Sequence, residues 1–104
     1  MLQFKHPNCK AYFLSHFHSD HYAGATKKWK KGLIYCSDVT AKMVNYKFGT
    51  SLDMLVPLPL NEEKFIDPQT GKLTDPSAQN KIGVTLIDAN HCPGAVYFFL
   101  SLFL

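Results

Sequence analysis

Three histidines and one aspartate lie within six consecutive residues near the start of the chain. The string His-Phe-His-Ser-Asp-His contains His16, His18, Asp20 and His21. Imidazole nitrogens and carboxylate oxygens are good ligands for zinc and similar ions. A lone histidine is usually a polar surface residue, and His6, which stands alone beside a proline, is interpreted in this way. The dense string instead predicts a metal-binding site.

The spacing of these ligands indicates two neighbouring metal positions. His16 and His18 follow an apolar run at residues 11 to 14. In an extended strand, residues two apart point to the same side, so one ion could bind both imidazoles. Asp20 and His21 come after the apolar run has ended, where a turn should carry them to a nearby second position.

A further ligand candidate, His91, follows an apolar run in the second half of the chain. The run at residues 84 to 87 leads into Asp-Ala-Asn-His-Cys-Pro-Gly at residues 88 to 94, which predicts a tight turn after a strand. Glycine allows a close approach of the backbone, and binding residues often lie on loops that a rigid scaffold positions. We therefore predict that His91 is the third ligand of the first metal, together with His16 and His18.

The elements that must position these ligands alternate between strand and helix. Apolar runs bounded by glycine, proline and polar residues predict strands, and three- and four-residue spacing predicts helices. This order, with ligands at strand ends, predicts the α/β class and a rigid site open to solvent. The predicted strands are 11–15, 33–36, 84–87 and 95–104, the predicted helices are 25–31 and 38–46, and an extended edge element with two prolines covers 54–60.

The predicted helix at residues 38 to 46 has an apolar side. Val39, Met43 and Tyr46 recur at three- and four-residue spacing, which predicts that this side faces the core. Ser37 can cap the start of the helix, and a glycine closes its end.

The predicted helix at residues 25 to 31 carries a basic cluster around Trp29. A basic cluster beside an aromatic residue could contact a phosphate backbone. The preferred interpretation is a solvated face with the tryptophan folded inward, because charge runs usually serve solvation. The cluster consists of Lys27, Lys28, Lys30 and Lys31.

Length and composition indicate one small globular domain over residues 1 to 104. The chain is 46% hydrophobic and 18% charged, and its net charge of +3 is too slight to establish an anionic partner. Residues 61 to 81 are polar and contain two prolines and a glycine, which predicts a surface loop or hairpin excursion within this domain.

Cysteine usage and the apolar runs restrict where the protein works. Cys9, Cys36 and Cys92 form no Cys-x-x-Cys pair, which favours free thiols in the reducing cytosol or nucleus, and Cys92 is best explained by packing. No stretch reaches the roughly 20 apolar residues of a membrane span, so no membrane association is expected. The run at residues 95 to 104 predicts a strand buried on both faces, and a chain that ends on such a strand is expected to be truncated.

The histidine string resembles the signature of the metallo-β-lactamase superfamily, which would also suit thioesterases, lactonases, β-lactamases and RNA-processing nucleases. Four segments narrow the resemblance to the DNA interstrand cross-link repair nucleases, the β-CASP branch with Artemis and Apollo. The resemblance covers most of residues 9 to 100, except the polar residues near 61 to 81, which look like an insertion. The four segments are 12–24, 35–37, 57–60 and 86–95.

The resemblance implies a partial metallo-β-lactamase fold, an αββα sandwich truncated at both ends. His16, His18 and His91 would hold one zinc ion, while Asp20 and His21 would serve a second, weaker position and act in catalysis. The implied reaction is the hydrolysis of phosphodiester bonds in single-stranded or damaged DNA ends by a metal-bound hydroxide that Asp20 helps to orient or deprotonate. Further implications are 5′-to-3′ exonuclease action, a role in interstrand cross-link or double-strand break repair, and a nuclear location.

The sequence also departs from the family pattern. An aspartate before the histidine string, a bridging aspartate after the turn at His91, and the β-CASP cap have no counterpart in the 104 residues. Because incomplete support weakens metal sites, the chain alone is expected to show little nuclease activity. The alternatives are a β-CASP RNA nuclease or another hydrolase of the superfamily, and a non-catalytic zinc-binding fragment.

Overall fold

The computed structural model describes residues 10–15, 29, 32–90 and 94–103. These residues have a mixed α/β fold, as the alternation of patterns in the sequence predicts. No helix among them is long and apolar enough to cross a membrane. The elements are β1 (Ala11–Phe13), β2 (Leu33–Cys36), helix α1 (Asp38–Phe48), a short 3₁₀ helix (Leu52–Met54), β3 (Leu55–Pro57), β4 (Lys64–Ile66), β5 (Lys81–Asp88) and β6 (Val96–Phe103).

The described strands form two three-stranded sheets. The first sheet is parallel, in the order β1-β2-β3, and Ile34 of β2 lies between Tyr12 and Leu55. The second sheet is antiparallel, in the order β4-β5-β6, and β5 and β6 pair along their whole length from Lys81 to Asp88. The extended element predicted at 54–60 contributes β3, which lies at the edge of the first sheet, as its prolines require.

The parallel sheet is covered on both faces, which explains why its strands are continuous apolar runs. Successive side chains of a strand point to opposite faces. In β2, Ile34 and Cys36 therefore pack with α1, while Tyr35 packs with the second sheet. The three layers are thus helix, parallel sheet and antiparallel sheet. The helix-side cluster consists of Tyr12, Leu14, Trp29, Ile34, Cys36, Ala41, Val44 and Leu55, and the inter-sheet cluster consists of Tyr35, Leu58, Ile66, Val84, Leu86 and Val96.

Helix α1 begins and ends as its sequence predicts, but it buries a different side. Ser37 is the N-cap, and Gly49 ends the helix in the left-handed conformation at φ 71°. The predicted core stripe is wrong, because Tyr46 is 90% exposed and Val39 is 43% exposed. The buried positions are Thr40, Ala41 and Val44. Small and β-branched side chains allow the helix to lie close to the sheet, and the larger residues remain at its margins.

Trp29 is folded inward, as the preferred interpretation of the basic cluster predicts. Its side chain is only 3% exposed, and its ring meets the ring of Tyr12 edge-on with centroids 4.9 Å apart. Its indole N–H donates to the carbonyl oxygen of Gly32 at 2.8 Å. The lysines around it lie outside the described residues.

The polar segment at residues 61 to 81 is a hairpin excursion with a buried anchor. Strand β4 pairs with β5, and Ile66 is only 1% exposed. The Tyr35 hydroxyl donates to the Gly71 carbonyl oxygen at 2.5 Å, which ties the loop to the first sheet. Gly71 is in the left-handed region at φ 76°, and a Cβ there would collide with the backbone of Lys10. The loop is therefore anchored on the first sheet at Gly71, while most of residues 67 to 80 are exposed.

Strand β6 forms where the sequence predicts it, but it is not buried on both faces. Tyr97, Phe99 and Leu102 are 66%, 62% and 70% exposed. The first sheet covers little more than the beginning of β6, where Val96 and Phe98 pack in the inter-sheet cluster. Among the described residues, no layer covers the outer face of the second sheet.

Candidate metal centre

The predicted metal ligands fall outside the part of the chain that the structure describes. None of the five predicted ligands is among the described residues, so the site that they would form stays a prediction. They are His16, His18, Asp20, His21 and His91. Within the described ranges, no group of three or more histidine, cysteine, aspartate or glutamate side chains could hold a metal ion. His6, Cys9 and Cys92 are also outside the described residues.

The described residues that flank the two ligand groups lie together. The Val96 N–H donates to the Ser15 carbonyl oxygen at 2.8 Å. Ser15 is bonded directly to His16 in the sequence, and Val96 is the first residue of the strand that follows the turn at His91. The Leu14 N–H donates to the Tyr35 carbonyl oxygen at 3.0 Å, so the backbone stays in register with β2 up to this point.

The ends of the segment around His91 are also held together. The Ala89 N–H donates to the Ala95 carbonyl oxygen at 3.0 Å, and the Asn90 N–H donates to Asp88 Oδ1 at 2.8 Å. Asn90 and Gly94 have positive φ angles of 54° and 84°. A left-handed conformation is tolerated well by glycine and moderately by asparagine, so these residue types suit a sharp reversal at this place.

Two hydroxyl groups at the N-terminal end of α1 bind the backbone at Gly94, immediately after the segment around His91. Ser37 Oγ donates to the Gly94 carbonyl oxygen at 2.7 Å, and Thr40 Oγ1 donates to the same oxygen at 3.2 Å. Ser37 Oγ also accepts from the Thr40 N–H at 3.2 Å as the N-cap of the helix. The sequence predicts the capping role of Ser37, but nothing in it singles out Thr40 or links either residue to a glycine more than 50 positions away.

A cavity of about 240 Å³ opens beside these contacts. It lies where β2, β3 and β5 end, which is the edge at which β1 leads into the histidine string. Its wall is mainly apolar, with the carboxylates of Asp38 and Asp88 at its rim, and both of these residues are exposed. The lining residues are Ser37, Asp38, Val39, Leu58, Pro59, Leu60, Asp88, Gly94, Ala95 and Val96.

Cys36 is a free, buried thiol at the end of β2. Burial, together with a smaller effect of the negative charge of Asp38, raises the pKa of this thiol to about 12. A protonated thiol is a poor nucleophile and a poor metal ligand. Cys36 therefore serves packing in the helix-side cluster, and its free state agrees with the prediction from cysteine usage.

The fold and these contacts define a class of protein: an α/β domain in which the segments that carry the predicted ligands follow the ends of strands. Comparison with known proteins shows which proteins this chain is similar to. The chain is 43% identical over 94 residues to the DNA cross-link repair protein SNM1 of Arabidopsis thaliana, which is 90% of this chain and 17% of that protein. It is 43% identical over 100 residues to the DNA cross-link repair protein PSO2/SNM1 of Saccharomyces cerevisiae, covering 89% of this chain and 13% of that protein. It is 38% identical over 92 residues to the 5′ exonuclease Apollo of Danio rerio, covering 88% of this chain and 15% of that protein.

These matches show that the chain is homologous to a segment of two DNA cross-link repair proteins and of a 5′ exonuclease, in agreement with the resemblance of its motifs. No family model matches the chain. The chain spans between 13% and 17% of the length of these three relatives.

Proposed function

We propose that the chain is a segment of a metal-dependent DNA nuclease that hydrolyses phosphodiester bonds in the repair of interstrand cross-links or double-strand breaks. Two of its relatives are named as DNA cross-link repair proteins and a third as a 5′ exonuclease, which supports DNA as the substrate, exonuclease action and work in the nucleus. The layered arrangement of α1 and the two sheets is compatible with part of a metallo-β-lactamase fold over residues 1 to 104, with an insertion near 61 to 81.

One observation of the structure supports this proposal above the others. The hydrogen bond from Val96 to Ser15 ties the residue before His16 to the strand that follows His91. Consecutive Cα atoms are only about 3.8 Å apart, so His16 follows Ser15 closely. The hydrogen bond from Ala89 to Ala95 holds the two sides of the His91 segment together beside the same strand. The two ligand groups, which are 70 or more positions apart in the sequence, thus begin from one place in the fold.

The chemistry of the donor set fits zinc. Three histidines that leave an open coordination position form a common catalytic zinc site, and His16, His18 and His91 would supply this set. Asp20 and His21 would hold a second, weaker position. When bound, zinc would lower the pKa of a water molecule towards neutrality and stabilise negative charge on the phosphate. Asp20 would hold the attacking water in position and accept its proton.

The function is tested in a chimera, because the activity of the relatives belongs to much longer proteins. The matching 92-residue segment of the Danio rerio 5′ exonuclease Apollo is replaced by the segment from this chain. We expect the chimera to release nucleotides from 5′-phosphorylated single-stranded DNA and to lose this activity with His18→Ala or His91→Ala. Lys42→Ala is the control and should retain activity, because Lys42 is exposed and its described ion pair is with Asp38, four positions earlier in α1.

The same preparations separate the alternatives. A folded chimera that cleaves RNA in preference to DNA would favour an RNA nuclease, and cleavage of small esters or amides would favour another hydrolase of the superfamily. Tight zinc binding without hydrolysis of any nucleic acid would favour a non-catalytic zinc-binding fragment. Any of these results would contradict the proposal of a DNA nuclease.

A further inference from the structure

We propose that Ser37 and Thr40 are positioning residues for His91: their hydroxyl groups hold the Gly94 carbonyl and thereby set the affinity of the zinc site. This inference rests on the proposed function, because it takes His91 to be a zinc ligand. The inference concerns the N-cap of α1 and a residue in its first turn, which carry no charge and are not themselves predicted ligands. We refer to the two hydroxyl groups and the Gly94 carbonyl oxygen as the hydroxyl clamp.

The geometry of the clamp is that of a buried, specific hydrogen-bonded contact. Both hydroxyl oxygens lie within hydrogen-bond distance of the same carbonyl oxygen, at 2.7 and 3.2 Å, and they are 3.1 Å from each other. Thr40 is fully buried and Ser37 is 6% exposed, so water does not compete freely for these bonds. A buried hydroxyl that loses its partner costs free energy, which makes the arrangement specific.

Helix capping explains only part of this arrangement. Capping requires Ser37 Oγ to accept from the Thr40 N–H, and this leaves the proton of the serine hydroxyl available for Gly94. The cap does not require the side chain of Thr40, yet its hydroxyl donates to Gly94 and its oxygen lies 3.1 Å from Ser37 Oγ. Its burial and direction therefore fit contacts with both Ser37 and the turn.

The space around Gly94 shows how closely the backbone approaches the clamp. A Cβ atom on Gly94 would lie 2.9 Å from Thr40 Oγ1 and 3.1 Å from Ser37 Oγ. The turn can therefore reach these hydroxyl groups only because residue 94 has no side chain.

In the described part of the chain, three hydrogen-bonded contacts hold the backbone on either side of His91, and the clamp is one of them. The other two are the hydrogen bond from Ala89 to Ala95 and the hydrogen bond from Val96 to Ser15. The first bond joins the two sides of the turn, and the second joins the strand after the turn to the residue before the histidine string, but neither contacts the helix. The clamp adds a contact with the N-terminal end of α1, and such anchoring matters because ligand distances in a metal site must be accurate to about 0.2 Å.

The test is a zinc titration of the 104-residue chain against a chromogenic chelator. Thr40→Val removes only the hydroxyl, and we expect its zinc affinity to fall about tenfold, the lower end of the range for residues that orient metal ligands. Thr40→Ser restores the hydroxyl and should recover most of the affinity. Ser51→Ala removes the hydroxyl that caps the 3₁₀ helix, which accepts from the Asp53 N–H at 3.2 Å, and should leave the affinity unchanged.

Amide hydrogen exchange on the zinc-free chain provides a readout that a general loss of stability would not reproduce. With Thr40→Val, the amides of Ala89 and Val96 should exchange faster, because the turn has lost its anchor on the helix. The Thr74 amide donates to the Phe65 carbonyl oxygen at 2.8 Å in the polar segment, away from the clamp, and should keep its rate.

Each outcome tests either the positioning role of the clamp or the proposed function. If Thr40→Val binds zinc as tightly as the wild type, or if the three amides accelerate equally, the positioning role is wrong. If the wild-type chain binds no zinc, the proposed function fails, while the exchange rates of Ala89 and Val96 still show whether the clamp anchors the turn.

Discussion

At the scale of single residues, the described side of the site is organised by backbone groups and uncharged side chains. Gly94, Ser37 and Thr40 join the turn to the helix, and the Ser15 carbonyl oxygen joins it to the strand before the histidine string. Hydrogen bonds of this kind are directional, so they can define where a ligand-bearing segment begins.

Gly94→Ala should destabilise the fold and weaken the site. The residue lies at φ 84°, and its Cβ would collide with the hydroxyl clamp. We expect a loss of about 1–3 kcal/mol in the free energy of unfolding, measured by urea denaturation, together with weaker zinc binding. Gly49→Ala is the control, because it carries similar strain at φ 71° at the far end of α1 and should leave zinc affinity unchanged. A Gly94→Ala chain as stable as the wild type would contradict this account.

Tyr35→Phe should change the response of stability to alkaline pH. Burial raises the pKa of Tyr35 from 10.0 to about 12. The folded chain therefore keeps this proton when the unfolded chain has lost it, so its contribution is complete below pH 10 and declines as the pH rises towards 12. Cys36, with its pKa also raised to about 12, contributes in the same direction.

The Tyr35→Phe variant should lose about 1–3 kcal/mol at neutral pH, because the buried Gly71 carbonyl loses its donor. Its stability should then decline less than that of the wild type between pH 9 and 11, as measured by urea denaturation at each pH. Tyr46→Phe, at a position that is 90% exposed, should behave as the wild type does. If the free energy of unfolding falls equally with pH in Tyr35→Phe and in the wild type, the Tyr35 hydroxyl does not cause the loss of stability at alkaline pH.

At the scale of elements, the alternation of side chains along each strand determines which residues pack between which layers. The parallel strands present apolar side chains to both faces, whereas β5 presents Val84 and Leu86 to the inter-sheet cluster and Thr85 and Ile87 to the other face. Helix α1 shows the limit of such patterns. Its apolar stripe suggests one buried side, but contact with the sheet and with the turn selects another.

Leu86→Ala should be far more destabilising than Leu102→Ala. Leu86 is fully buried between the sheets, so its truncation should leave a cavity that costs about 2–5 kcal/mol. Leu102 lies on the neighbouring strand but is 70% exposed, and its truncation should change stability by no more than about 0.5 kcal/mol. Both values are obtained from chemical denaturation, and equal losses would mean that the inter-sheet packing is wrong.

At the scale of the whole molecule, the chain consists of two halves that meet between the sheets. The N-terminal half supplies β1, β2, α1 and β3, and the C-terminal half supplies the antiparallel sheet. The inter-sheet cluster and the hydrogen bond from Val96 to Ser15 join them beside the predicted site. A metal held by His18 from one half and His91 from the other would cross-link the two.

Zinc should therefore stabilise the whole fold. At a free zinc concentration about 100 times Kd, binding to the folded state alone should add about 2.7 kcal/mol to the free energy of unfolding. The gain is measured as a rise in Tm with zinc and should disappear in His18→Ala. His6→Ala, which removes a histidine that is not a predicted ligand, should show the full gain. An equal gain in His18→Ala would place the zinc elsewhere.

Much of the fold and the chemistry can be predicted from sequence, because both depend on local patterns. Apolar runs indicate strands near 11, 33, 84 and 95, Ser37 and Gly49 mark the ends of α1, and the density of histidines indicates a metal site. The short strand β4 was not anticipated, because it lies in a polar segment and depends on pairing with β5. The burial of β6 was predicted wrongly, because a strand pattern does not reveal which layers cover it.

By itself, the sequence determined the strands near 11, 33, 84 and 95 and the relatives of the chain, and it predicts the residue types that would carry the chemistry, because each depends on neighbouring residues. Only the tertiary structure decided which side of α1 is buried, that two of its hydroxyl groups hold Gly94, and that Ser15 binds Val96. These contacts join residues more than 50 positions apart, and they form only when the layers pack. No pattern within a single segment contains that information.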